Sequence, residues 1–243
     1  MARISRRNLL KVAASAALAT GAAPTLARAD AAAKSPSRYA FFTAAEASFI
    51  EAAVARLIPD DAIGPGAIEA GVPAYIDEQL AGAWGAGERL YRSGPWQPGA
   101  PSQGYQLPFT PAELFRNALR ALRDETRGSG DEFERASAET QDNFLRDLQE
   151  SDRDLNGVPA KIFFDTLLSM TIEGYFSDPV YGGNKGMAAW RMIGFPGAYA
   201  QYYHLVDRHG LAFQREPLSL GENGRGLVQP DPNLPAAIHP GHS

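Results

Sequence analysis

The chain contains no cysteine. Haem attachment through C-x-x-C-H, thiolate zinc sites, iron–sulfur clusters and disulfides are therefore excluded. It has four histidines. His204 and His209 flank Asp207, but positions five apart on a helix point roughly 140° from each other and do not converge on one ion. His239 and His242 sit near the C-terminus. No G-x-S-x-G nucleophile elbow occurs. Gly64-Pro65-Gly66 has no strand before it and a proline in the middle, so it is not a dinucleotide fingerprint. Gly182-Gly183-Asn184-Lys185-Gly186 lacks the spacing of a phosphate loop. Asp60-Asp61 and the acids from Glu150 to Asp154 read as helix-end charge, and Glu173 and Asp178 give no sign of a paired acid–base site. No alternating apolar run is long enough for a sheet, and no strongly apolar run reaches the ~20 residues of a membrane span.

Positive charge is also scarce beyond the N-terminus. Of 23 Lys and Arg, five (Arg3, Arg6, Arg7, Lys11, Arg28) lie in residues 1–29, which hold no acid. The remainder carries 18 against 28 Asp and Glu, a formal charge of −10. That balance argues against nucleic acid and anionic lipid as partners.

The first segment is read as an export signal. Arg6 and Arg7 are preceded by Ser5 and followed after Asn8 by Leu9-Leu10-Lys11. A short Ala-rich apolar stretch then ends in Ala27-Arg28-Ala29. A basic start, a short apolar middle and an A-x-A site describe a secretory signal, and the paired arginines make it a twin-arginine signal. The expected product is a soluble periplasmic protein.

The domain plan follows from periodicity: residues 1–29 as signal peptide, 30–41 as a mobile lead-in, 42–210 as one helical domain and 211–243 as an extended tail with no core of its own. Thr43 with Glu46 forms a capping box, in which each side chain satisfies an orphan N–H of the first turn. Ile50, Ala53, Val54, Leu57 and Ile58 follow at helical spacing, and Pro59 stops the helix. Gly64–Gly71 reads as a turn. A second helix is expected near Pro73, with Val72, Ile76, Leu80 and Ala83 on one face. Residues 85–108 form a Gly/Pro-rich excursion carrying Tyr91, Trp96 and Tyr105. Thr110, Pro111 and Glu113 start a third helix with a second capping box, buried through Phe115, Ala118, Leu119 and Leu122. Further helices are expected after Ser137 (Phe144, Leu145, Leu148) and around Pro159 (Phe163, Leu167, Met170). Residues 198–210 could hold a short one. The fold class is all-α: a single irregular helical domain of about five or six helices with long Gly/Pro-rich connections.

The most unusual stretch is EGYFSDPVYGGNKGMAAWRMIGFPG, Glu173 to Gly197, with six glycines, two prolines and five aromatic residues. Asp178-Pro179 favours a turn, and Gly182-Gly183-Asn184 permits positive φ. Tyr175, Phe176, Tyr181, Trp190 and Phe195 put large rings on that backbone, and such rings are enriched at interface centres. Tyr175, Phe176, Asp178, Tyr181, Gly182, Gly183, Asn184, Trp190 and Phe195 are accordingly the candidate partner-docking residues. The competing reading is that the rings fill the protein's own core, with each use open to different rings. No catalytic, cofactor-binding or metal-binding residue is assigned. The twin-arginine route carries folded proteins, typically with a cofactor already inserted, yet this chain has no recognisable cofactor motif. A partner that holds the cofactor would reconcile the two.

LIPDDAIGPGAIEAGVPAYIDEQL (Leu57 to Leu80) and TIEGYFSDPVYGGNKGMAAWRMIGFPG (Thr171 to Gly197) resemble the two hallmark stretches of the gluconate 2-dehydrogenase subunit 3 family. The likeness covers roughly residues 40–205. The resemblance implies a cofactor-free small subunit of a periplasmic, membrane-bound dehydrogenase complex. Its partners would be a flavoprotein of the glucose–methanol–choline type carrying FAD and a cytochrome subunit carrying haem c. The implied role is maturation and twin-arginine export of the flavoprotein. It does not choose among sugar and sugar-acid substrates. The alternative that the residues allow is a stand-alone exported helical enzyme or small-molecule-binding protein, with residues 85–108 and the Gly-rich loop as pocket walls.

Overall fold

The computed structural model describes residues 39–97, 99–100, 106–126, 132–198, 207–210 and 215–221. Arg6, Arg7 and the expected signal lie outside them, as does most of the segment expected to hold a short helix at 198–210. The described residues contain six α-helices and one two-stranded hairpin: α1 Ala44–Leu57, α2 Val72–Ala81, α3 Pro111–Thr126, α4 Ala138–Glu150, β1 Asp154–Leu155, β2 Val158–Pro159, α5 Ala160–Phe176 and α6 Ala188–Ile193. The all-α expectation holds. Among these residues no helix is long and apolar enough to cross a membrane.

Both capping boxes form. Thr43 N donates to Glu46 Oε2 at 2.8 Å, and Glu46 N to Thr43 Oγ1 at 3.4 Å. Thr110 N donates to Glu113 Oε2 at 2.8 Å, and Glu113 N to Thr110 Oγ1 at 3.2 Å. These bonds fix where α1 and α3 begin, because four N–H groups at each helix start lack an internal partner.

Helix α5 is the axis of the domain. It packs against α1, α2, α3 and α4, so it is apolar around most of its circumference rather than along one stripe. Phe163 and Leu167 are wholly buried, with Phe164, Met170 and Tyr175 nearly so. Phe163 meets Phe115 of α3 edge-to-face at 5.3 Å. A second ring cluster, Phe49, Phe133 and Phe144, joins α1 to α4. Full burial of each such side chain stabilises the fold by about 1.5–3 kcal/mol.

The hairpin was not expected. Asn156 and Gly157, at φ 56° and 87°, make the two-residue turn that favours Asn-Gly. Leu155 opposite Val158, both wholly buried, seals one end of the core. The chain also enters the domain through a designed contact: the Asp77 carboxylate of α2 accepts the backbone N–H groups of Ala40, Phe41 and Phe42 at 2.6, 2.9 and 2.8 Å.

Candidate functional site

Leu57–Leu80 and Thr171–Gly197 lie about a hundred residues apart and fold into one assembly. Tyr175 Oη donates to Pro65 O at 2.6 Å, across 110 residues. Lys185 N donates to Ala70 O at 3.0 Å. Tyr75 Oη donates to Glu173 Oε2 at 3.3 Å. Gly174 is the point of closest approach of α5 to α2: a Cβ there would sit 2.7 Å from the Tyr75 ring. Gly71, at φ +79°, starts α2 in the left-handed region and lies under the Lys185 side chain. Burial and the neighbouring Glu173 push the Tyr75 hydroxyl up to about 12. Burial also raises Tyr175, with Asp61 and Asp60 adding to it. Both phenols stay neutral hydrogen-bond donors at ordinary pH.

The glycine-rich run is a chain of tight turns organised by Asn184. Its side chain is wholly buried and its φ is 43°. Nδ2 donates to Ser177 O at 2.9 Å, and Oδ1 accepts from Ala189 N at 3.0 Å. Its backbone N donates to Gly174 O at 3.0 Å. One asparagine thus ties the end of α5 to the start of α6. Single 3-10 turns at Pro179–Tyr181 and Lys185–Met187 lie on either side of it. Trp190 Nε1 donates to Phe176 O at 2.8 Å, which holds α6 down.

Residues 215–221, near the start of the segment 211–243 expected as an extended tail, form a strap across this run. Gly197 pairs with Leu218 in a parallel bridge, and Ala198 N donates to Leu218 O at 2.8 Å. Asp178 is the catch. Its Oδ1 accepts from Val180 N at 3.0 Å and from Ser219 Oγ at 2.7 Å, and its Oδ2 from Leu220 N at 2.8 Å. Burial alone would raise the Asp178 carboxyl, but these three donors outweigh it and hold the group below its ordinary range.

The nine candidate docking residues separate by position. Tyr175, Gly183, Asn184 and Trp190 are buried. They shape the loop from within because a ring or amide with an internal hydrogen-bond partner is more stable inside. Phe176 and Asp178 are half-buried, and Gly182 is half-buried against the Glu78 carboxylate. Tyr181 and Phe195 are exposed, at 52% and 45%. Phe195 stands edge-on to Trp190 with centroids 5.1 Å apart.

Sequence reasoning missed the exposed aliphatic residues beside them. Ile63 is 78% exposed and Ile193 56%, and Met192, Ile68 and Val180 are also exposed. Ile63, Met192, Tyr175 and Phe176 line a shallow apolar groove of about 270 Å3. The available signal was Met192-Ile193 directly before Gly194, which forces two large apolar residues onto the last turn of a six-residue helix. Ile63, between Ala62 and Gly64 in a turn, was the other. Among the described residues no group of three or more His, Asp or Glu is placed to hold a metal ion.

Fold and site together define a small helical domain with a rigid loop assembly and an exposed apolar rim. The chain belongs to a family: the model described as Gluconate 2-dehydrogenase subunit 3 matches residues 44–197. It is thus a subunit of a gluconate 2-dehydrogenase-like oxidoreductase complex. Both stretches that carried the resemblance fall inside the match, and the strap falls outside it. No curated protein and no solved structure matches the chain.

Proposed function

We propose that this chain is the non-catalytic small subunit of a periplasmic FAD-dependent dehydrogenase complex, and that it docks the flavoprotein through the face carrying Ile63, Met192, Ile193, Tyr181 and Phe195. The observation that carries this reading is the meeting of the two family stretches in one assembly. Their buried residues fix the loops, and their exposed ones are large and apolar. Large apolar side chains held rigidly at the surface lose little entropy on association and gain burial.

On this reading FAD belongs to the large subunit and haem c to a cytochrome subunit, and this chain assists maturation of the flavoprotein. The signal at Arg6-Arg7 serves both chains by the twin-arginine route, since that route accepts an assembled pair. Export is tested by deleting residues 1–29 and locating the flavoprotein. Cytoplasmic retention is expected, and normal periplasmic flavoprotein would refute shared export. Docking is tested by co-purification with Ile63→Asp and Ile193→Asp variants. Spectra of the separated chains then assign the chromophores: flavin and haem absorbance are expected only in the partners.

A further inference from the structure

The chain has four methionines. Met1 lies outside the described residues. Met170 and Met187 are buried, at 2% and 4% exposure, whereas Met192 is 37% exposed and lines the shallow groove beside Ile63, Tyr175 and Phe176. One open thioether beside two buried ones is a selective target, because oxidation of methionine follows access of the oxidant to sulfur.

The surroundings of that sulfur give its oxidation a consequence. Met192 Sδ lies 3.9 Å from Tyr175 Oη. The same hydroxyl donates to Pro65 O at 2.6 Å, the bond that ties α5 to the turn at residues 64–71. A Cβ at Gly64 would sit 2.5 Å from Met192 Sδ and 3.7 Å from Tyr175 Oη, so turn, sulfur and phenol converge at one point. A phenol has one proton to donate, and a thioether is a weak acceptor. In the reduced chain that proton therefore goes to Pro65 O.

We propose that Met192 is an oxidation-sensitive latch: as the sulfoxide, its oxygen takes the Tyr175 proton from Pro65 O and loosens the turn from α5. With hydrogen peroxide as oxidant, a sulfur lone pair attacks one peroxide oxygen. The S–O bond forms, the O–O bond breaks, sulfur gives up two electrons and the other oxygen leaves as water. The new oxygen is a far better acceptor than the thioether, and one S–O bond closes the gap to Tyr175 Oη to hydrogen-bond distance. The unbranched methionine side chain can turn to present it. Pro65 O then loses its donor, which costs stability. The latch belongs to this chain alone and stands separately from the docking reading.

The experiment is graded hydrogen peroxide treatment of the purified full-length chain, with peptide mapping by mass spectrometry and a melting curve for each sample. Met192 is expected to gain an oxygen at least about tenfold faster than Met170 or Met187. The melting temperature should fall by at least about 2 °C as it does so. Treatment with the two methionine sulfoxide reductases, one for each sulfoxide epimer, should restore it. Met192→Leu, close in volume, should fold like the parent and lose the peroxide effect. Tyr175→Phe is read by difference: whatever its own melting temperature, peroxide should lower it much less than it lowers the parent. Equal oxidation of the three methionines, an unchanged melting temperature once Met192 is oxidised, a fall that the reductases do not reverse, a fall that persists in Met192→Leu, or a full fall in Tyr175→Phe would each overturn the proposal.

Discussion

Replacing Asn184 by alanine tests whether the glycine-rich run is a built structure or a loose loop. The substitution removes the donor to Ser177 O and the acceptor of Ala189 N. Ala189 is wholly buried, so its N–H cannot turn to water. An orphaned buried polar group costs about 1–3 kcal/mol, and Ala189 should lie at the upper end. Ser177 is half-buried and recovers some solvent, which places its carbonyl at the lower end. Holding alanine at φ 43° adds about 1 kcal/mol, because asparagine tolerates the left-handed region and alanine does not. The sum is about 3–5 kcal/mol, a large part of the roughly 5–15 kcal/mol that holds a domain together. Urea unfolding followed by tryptophan fluorescence measures it, and Trp190 sits within the affected turns. Asn184→Gly separates the causes: it relieves the backbone but restores neither hydrogen bond, so it should recover only about 1 kcal/mol. A loss below about 1 kcal/mol for alanine, or full recovery with glycine, would refute the assignment of Asn184 as the organising residue.

Gly174→Ala should cost about 1–3 kcal/mol by driving a methyl into the Tyr75 ring, and a melting curve checks it. Ile63→Asp and Ile193→Asp should leave stability within about 0.5 kcal/mol of the parent but weaken association with the partner by at least ~30-fold, read by co-purification or calorimetry. The Asp178 catch is pH-dependent with a defined sign. Its folded pKa lies below the ordinary 3.8, so its contribution is present above that value and is lost as pH falls through the folded pKa. The NMR amide shift of Leu220 should move in that acid window, and Asp178→Asn should blunt the movement.

Helix existence was legible because its signals are local. Thr43 with Glu46 and Thr110 with Glu113 announce helix starts within four residues, and both boxes formed as read. The hairpin at 154–159 escaped because two-residue strands show no alternation, although Asn156-Gly157 was a turn signal in plain view. Helix α6 and the two 3-10 turns were hidden by the glycines around them. What no local pattern could show is that Tyr175 reaches Pro65 across 110 residues. That contact decides which rings are interior. Tyr175 and Trp190 read like Tyr181 and Phe195 in composition, but the first two have internal hydrogen-bond acceptors and the last two face outward. The strap escaped for a related reason: a Pro/Gly-rich run has no core of its own, yet Ser219 is buried because Asp178 offers it an acceptor.

The grip of Asp77 on residues 40–42 bears on the order of assembly. Its three bonds join positions 35 to 37 residues apart. The acceptor does not exist as a fixed object until the helix that bears it has formed and found its neighbours. The three bonds at Ala40, Phe41 and Phe42 therefore require α2 to be in place, so the entry of the chain into the domain is fastened by a helix more than thirty residues further along.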